Sequence, residues 1–337
     1  MDMDMKSFTL DRRAFVGAGL ALVAGLAGCS NGGAASKGSA AGGAAASSGK
    51  TYKIGVIQLV EHSALDASNK GFVQAIKDSG LDCDIDQQNA QNDQSACQTI
   101  ATKFVSDGDD LIFAIATPAA QAAAGATTDI PIVGTAITDF AGANLVKSND
   151  KPETNVTGSS DLTPVAEQLE MLNKVMPDAK TVGLLYASNE ANSKIQIDMA
   201  KEELDKLGVA YEEFSVSSSN EIQSVVESAV GKVDALYAPT DNTIAAGAAQ
   251  VGQICKENKL PFITGEEGMC KAGGLFTLSI NYKDLGTLAG EMAVKVLKGE
   301  SKPEDMAIEQ LPSDKLVVVK NDEMAEAIGV DLSALDA

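Results

Sequence analysis

A chain of 337 residues with 45% hydrophobic content can bury two separate cores. Its 47 acidic against 26 basic residues give a formal charge of −21, which excludes nucleic acid and anionic membrane surfaces as partners, since both require a basic patch. Aromatic residues make up 4% and tryptophan is absent, so aliphatic side chains must fill most of the core.

Residues 1–28 read as a signal peptide. Arg12 and Arg13 precede the apolar run Ala14 to Gly28, too short to span a bilayer comfortably. The run ends in Leu26-Ala27-Gly28-Cys29, which resembles a bacterial lipobox and makes Cys29 the expected lipidation site. The DRRAFVG context resembles a twin-arginine export signal, with Asp11 where Ser or Thr is usual and the general secretory route as the alternative. Residues 30–50 are almost wholly Gly, Ala and Ser, a tether with a root-mean-square reach of roughly 25 Å.

The folded body starts with a strand at Tyr52–Val60, followed by a helix at Ser63–Ser79 stopped by Gly80. A second strand lies near Cys83–Gln87, and Asp93 caps a helix through Val105. Leu111–Ile115 is a buried strand, Thr117 and Pro118 open an Ala-rich helix as cap and first residue, and Pro131–Ala136 is the fourth strand. Asn155–Ser159 is the fifth, entering Asp161 to Pro164, which caps a helix through Val175. The same order restarts at Thr181. Strand Thr181–Ala187 leads to helix Glu190–Leu207 and strand Val209–Val216, and Asn220 caps a helix to Val230. Strand Val233–Ala238, helix Thr243–Lys256 and strand Pro261–Thr264 follow, then strand Leu275–Ile280 and helix Tyr282–Lys298. Cys83 with Cys97, and Cys255 with Cys270, fall at opposite ends of their βα units, so free, largely buried thiols are expected.

Strands alternating with helices imply parallel sheets covered on both faces. KIGVIQ is answered by TVGLLY, LIFAIA by DALYAP and PIVGTA by PFITGE. The expected fold is therefore α/β, two similar three-layer parallel-sheet lobes joined by a hinge, with one large sheet as the alternative. Lobe 1 would cover 51–159, completed by about 281–300, and lobe 2 would cover 160–280, completed by part of 301–337. Strand ends open onto a shared cleft, and hinge closure is the natural motion.

Two stretches organise this cleft. Leu111 to Ala124 sets a helix N-terminus at a strand's carboxyl end, an arrangement suited to a small anion. Val233 to Gln250 repeats the order but places Asp241 and Asn242 at the mouth, suited to a cation. The remaining candidate ligand-binding residues stand in the loops after each strand. Lobe 1 supplies Glu61, His62, Leu65, Thr117, Pro118, Ala119, Ala120, Thr135, Asp139, Ser160 and Asp161. Lobe 2 and its exit supply Ser188, Asn189, Asn192, Glu267 and Asn281, and Glu266-Glu267 could equally be a solvated pair. Taken singly, Thr117, Asp161 and Asn242 are better explained as helix caps, so the functional argument rests on convergence. One histidine and no spaced His/Cys set argue against a transition metal. No GxSxG elbow, P-loop or charge-relay set is present, so neither enzyme activity nor a cofactor is expected.

The chain from about Lys53 to Val319 resembles the substrate-binding lipoproteins of ABC transporters, of the tryptophan- and tyrosine-binding type. The resemblance is carried by VEHSALD at Val60–Asp66, FAIATPAAQAAA, NVTGSSDLTPV at Asn155–Val165, Ser188–Ser193, APTDNT at Ala238–Thr243 and GEEGM at Gly265–Met269. Ser63 and Phe140 stand where that pattern suggests proline. It implies a type I periplasmic-binding fold, an aromatic amino acid as ligand, an ABC permease as partner, membrane contact through the lipid anchor only, and a monomer. Thr117, Ala119 and Ala120 would receive the α-carboxylate, Asp241 or Glu61 the α-ammonium, and Ser160 or Asp161 a polar tip. A nucleoside or sugar ligand, or an exported sensory module, is the alternative.

Overall fold

The computed structural model describes residues 50–336, so the expected signal peptide, Cys29 and all but the last residue of the tether lie outside the described residues. Two six-stranded sheets form, and the single-sheet alternative is not what the chain adopts. The first contains β1 (Tyr52–Gln58), β2 (Cys83–Asn89), β3 (Leu111–Ile115), β4 (Ile132–Ile137), β5 (Val156–Ser160) and β11 (Glu309–Gln310), in the order β11-β5-β4-β3-β1-β2. The second contains β6 (Thr181–Ala187), β7 (Ala210–Val216), β8 (Ala235–Ala238), β9 (Phe262–Thr264), β10 (Phe276–Ser279) and β12 (Val317–Lys320), in the order β12-β10-β9-β8-β6-β7. Every pairing is parallel except β10 with β12.

The helices are α1 (Ser63–Asp78), α2 (Gln94–Asp107), α3 (Thr117–Ala126), α4 (Val165–Val175), α5 (Ala191–Leu207), α6 (Ile222–Ala229), α7 (Asn242–Ala246), α8 (Ala248–Asn258), α9 (Glu267–Ala272), α10 (Tyr282–Leu297) and α11 (Asp322–Ile328). Each sheet carries its own core. One core runs from Ile54 to Val156 and returns at Ile280 to Met306, while the other spans Val165 to Phe276 and returns at Met324 to Leu332. The chain therefore crosses between lobes three times, after β5, after β10 and between β11 and β12.

Four expectations are corrected. The helix expected over Thr243–Lys256 is two helices broken at Gly247, where a Cβ would lie 2.5 Å from Ile222 Cδ1 of α6. Asn220 is not a cap but lies within the 3-10 turn Ser219–Glu221 that leads into α6. Thr117 is the first residue of α3, and the cap is Ala116, at φ 85°. Asp161 does not cap α4, which has Pro164 at its N-cap and no side-chain cap. Asp93 accepts the Ser95 and Ala96 amides and caps α2.

The tightest packing in lobe 1 is α1 against α10, and it sets the floor of the cleft. Gly71 and Gly286 let the two backbones touch: a Cβ on Gly286 would lie 1.9 Å from the Ser68 carbonyl oxygen. Ser68 donates to the Tyr282 carbonyl at 3.1 Å, tying the first residue of α10 to α1. Because the obstructing atoms are backbone, neither helix can yield without separating. Gly286→Val is therefore expected to lower stability by about 3 kcal/mol or more, read by urea unfolding at constant m-value.

Candidate functional site

The carboxyl ends of both sheets face each other, and the lobes are closed. His62, at the end of the β1 loop, donates from Nε2 to Asn242 Oδ1 at 3.3 Å, and Asn92 Nδ2 donates to Thr243 Oγ1 at 3.0 Å. Gln94 Nε2 reaches the Asn189 carbonyl at 3.2 Å, and Gln196 Nε2 donates to Thr138 Oγ1 at 3.1 Å. The Asn242 amide nitrogen donates to Glu190, which leaves its Oδ1 as the acceptor and puts the His62 proton on Nε2. Burial holds the His62 pKa below the ordinary range, partly offset by the Asn242 bond and the charges of Glu190 and Asp66, so the ring is neutral. Its Nδ1 is then a bare, buried acceptor without a partner among the described residues.

Between the lobes lies a narrow cavity of about 10 Å³ lined by His62, Leu65, Ala136, Asp161 and Tyr282 from lobe 1 and by Thr240, Asp241, Asn242 and Glu266 from lobe 2, among others. Three carboxylates line it and no Lys or Arg does. Asp161 is 4% exposed and accepts two hydroxyls, Tyr282 at 3.0 Å and Thr138 at 3.3 Å. Burial pushes its pKa up to about 6, against those two hydrogen bonds. Glu266 is no solvated residue: it is buried and caps α9 through the Gly268 and Met269 amides, and burial drives its pKa up to about 7, with Glu267 and Asp161 adding to the rise.

Asp241 caps α7 through the Ile244 amide at 2.8 Å and accepts Ala187 N at 2.6 Å and Ser193 Oγ at 2.7 Å. Burial and then the charge of Glu190 raise its pKa. Glu190, 2% exposed, accepts both Asn242 nitrogens, the Asn192 amide, and the Thr243 amide and hydroxyl. Glu190 is thus the hub of the lobe 2 loops, although it stands at the start of a helix where an acidic residue reads simply as a first-turn charge. Asn192 is 3% exposed, and its Oδ1 has no partner among the described residues.

On the facing lobe, α3 begins at the cleft and packs against α5. Thr117 is 1% exposed, and its hydroxyl has no partner among the described residues. The amides of Thr117 and Ala119 precede the first ladder bond of the helix, and Pro118 has none to offer. Ala120 is different: its amide donates to the Ala116 carbonyl, so only two of the three expected anion donors are free for a ligand. Ala116 at φ 85° and Ala136 at φ 54° hold left-handed backbone at the ends of β3 and β4, strain of the kind that clusters at binding sites.

Several expected contacts fall elsewhere. Thr135 exchanges a hydrogen bond with Ser159 inside the lobe 1 sheet, and Asp139 closes its own loop onto Ala141 and Asn149. Glu61 is exposed on the rim, as are Ser188 and Asn189, while Asn281 is an exposed cap of α10. Glu267 pairs with Lys271. Ser160 donates to the Thr138 carbonyl at 2.6 Å and accepts Gln310, bracing the hinge and not facing the cavity. Tyr282, Thr138, Thr240 and Gln196 enter the site unannounced, since each arrives from a segment distant in sequence.

A model of the ABC transporter substrate binding protein family matches residues 53–334. The chain belongs to that family. A tyrosine-binding protein of Clostridioides difficile (strain R20291) is 43% identical over 294 residues, covering 86% of this chain and 84% of that protein. The ABC domain from Streptococcus pneumonia in complex with L-Trp is 40% identical with a TM-score of 0.82, covering 85% of this substrate-binding protein and 98% of that chain. The ligand-free, open structure of a substrate-binding protein with adhesive properties from Clostridium difficile is 47% identical but has a TM-score of only 0.64, over 83% and 96%. Identity and structural fit run in opposite order, which follows when the lobes stand at a different angle in the open protein. Two parallel-sheet lobes around a cleft are the type I periplasmic-binding architecture.

Proposed function

We propose that this substrate-binding protein captures an aromatic amino acid between its lobes outside the cytoplasm, where Cys29 anchors it to the membrane, and presents the closed form to an ABC permease. The observation that carries the ligand class is the set of buried polar groups in and around the interlobe cavity. Carboxylates without a basic partner and bare acceptors at His62 Nδ1 and Asn192 Oδ1 call for a positive, hydrogen-rich group, while the α3 N-terminus with the Thr117 hydroxyl calls for an anion. A zwitterion supplies both.

In this reading the α-carboxylate meets the Thr117 and Ala119 amides and the Thr117 hydroxyl. The α-ammonium lies toward Asn192 Oδ1, in the negative field of Asp241 and Glu190. Asp161 stands two strands from Thr117 along the sheet edge, roughly 10 Å at the usual interstrand spacing, so it receives the N–H or O–H at the far end of an aromatic side chain. Leu65 and Ala136 provide the apolar wall between. A cavity of about 10 Å³ admits no amino acid, so the hinge must open for entry, and contacts to both lobes then favour closure.

The names of the two relatives, one tyrosine-binding and one holding L-Trp, support this class. Thermal melts of the mature chain test it. L-Trp or L-Tyr at about 100 times Kd adds about 2.7 kcal/mol and should raise Tm by about 5 °C or more. The amino-acid reading fails if every amino acid leaves the curve unmoved at millimolar concentration.

A further inference from the structure

Three side chains of lobe 1 donate across the cleft: His62 Nε2 to Asn242 Oδ1, Asn92 Nδ2 to Thr243 Oγ1 and Gln94 Nε2 to the Asn189 carbonyl. The two side-chain acceptors among their partners meet on one carboxylate. An amide and a hydroxyl can each donate or accept, so nothing local makes Asn242 and Thr243 acceptors toward lobe 1. Glu190 decides it. Its Oε2 takes Asn242 Nδ2 at 2.6 Å, which turns Oδ1, the other end of that amide, to His62. Its Oε1 takes the Thr243 hydroxyl proton at 2.8 Å, so Thr243 meets Asn92 with an oxygen lone pair. The backbone amides of the same two residues also donate to Glu190, at 3.1 and 2.9 Å, and hold the points from which both side chains start.

With the Asn192 amide, five protein donors occupy this carboxylate, about as many as its lone pairs can serve, so it acts through them and not by touching a ligand. Lobe 1 is built to match. Gln91 and Asn92 hold left-handed backbone at φ 54° and 61°, pinned by the Gln91 amide on Asn89 Oδ1 at 2.7 Å and the Asn92 amide on the Leu59 carbonyl at 2.8 Å. We propose that Glu190 is the positioning residue for closure, making Asn242 and Thr243 a fixed pair of acceptors that the lobe 1 donors meet only when the hinge is shut. This assignment rests on the proposed capture of an amino acid between the lobes. Any ligand that shuts the hinge gains these bonds whatever its side chain, so Glu190 sets affinity and leaves selectivity among aromatic amino acids to the cavity lining.

His62 is the only histidine in the chain, so the imidazole nitrogen NMR spectrum of the untagged mature protein reads its contact directly. With saturating L-Trp or L-Tyr at pH 8 the ring should be neutral, with its proton on Nε2. In Glu190→Gln the Asn242 amide can turn its oxygen to the introduced donor; its nitrogen then faces His62, and the proton should move to Nδ1. Asn92→Gly keeps the left-handed backbone and loses the donor, while Thr243→Val keeps the amide on Glu190 and loses the acceptor. Each should weaken binding about fivefold, the loss of one neutral hydrogen bond, and by the same factor for tryptophan, tyrosine and phenylalanine. The double variant should bind no more weakly than either single one, and this cycle keeps the test decisive if Glu190→Gln misfolds. While amino acids still bind, the assignment is overturned by an Nδ1–H or doubly protonated ring in the bound wild type, by an unmoved proton in Glu190→Gln, or by additive effects at Asn92 and Thr243. If no amino acid binds, the proposed function itself fails and the assignment falls with it.

Discussion

Asp241→Ala is expected to lower amino-acid affinity by at least a hundredfold and to destabilise the fold by about 3 kcal/mol, measured by isothermal titration calorimetry and urea unfolding. The carboxylate does two jobs. It caps α7 and holds Ala187 N and Ser193 Oγ, so its loss leaves buried donors without acceptors. It also supplies, with Glu190, the negative field in which the α-ammonium is proposed to lie. Asp241→Asn removes the charge but keeps one acceptor oxygen, so either the Ile244 amide or the Ala187 amide is left facing an NH2 group. That variant should recover only part of the stability lost in Asp241→Ala and still lose about tenfold or more in affinity. Wild-type affinity in Asp241→Asn would assign the residue to the fold alone.

Amino-acid affinity is expected to rise with pH between about 5 and 8, and binding in that range to release protons. Asp161 and Glu266 sit at about 6 and about 7 in the folded protein, raised from 3.8 and 4.5, and Asp241 is raised too. Raised carboxyl pKa values mean that the folded apo protein retains protons which the unfolded chain has already lost. Stability without ligand therefore falls as pH climbs from about 4 through 7. A ligand that brings an ammonium and an N–H or O–H donor prefers the ionised carboxylates, so it binds tighter as they deprotonate. Titrations in buffers of different ionisation enthalpy count the released protons. Asp161→Asn should remove part of that release and narrow the preference for tryptophan or tyrosine over phenylalanine, which offers the carboxylate no donor. A pH-independent Kd would show that these acids do not meet the ligand's positive end.

Much of the architecture is legible in the chain because strands and helices announce themselves locally. Leu111–Ile115 is a strand as its five consecutive apolar residues imply, and Asp93 caps α2, the helix before it, through amides two and three residues away. The repeat of that grammar after Thr181 is enough to place a second sheet. Where a local signal has two outcomes, the sequence reading fails. Asp161 before Leu162-Thr163-Pro164 has the form of a cap, yet its partners are Thr138 and Tyr282, the latter 121 residues away. Thr243–Lys256 has unbroken helical composition, yet Ile222 from another helix needs the space at Gly247.

The candidate site divides along the same line. By itself the sequence determined that polar loops follow each apolar strand, that a helix N-terminus stands after Ile115, and that Asp241 stands at its counterpart, because such features depend on neighbours within a few residues. Tertiary structure alone decided which of those groups remain without a partner. Glu61, Ser188, Asn189 and Asn281 stay on the surface, Thr135 closes into the sheet, and Thr117, His62 and Asn192 each keep a buried atom without a partner among the described residues. The physical reason is that hydrogen-bond satisfaction is settled only when the two lobes meet, and no residue carries in its own surroundings the identity of what will face it across the cleft.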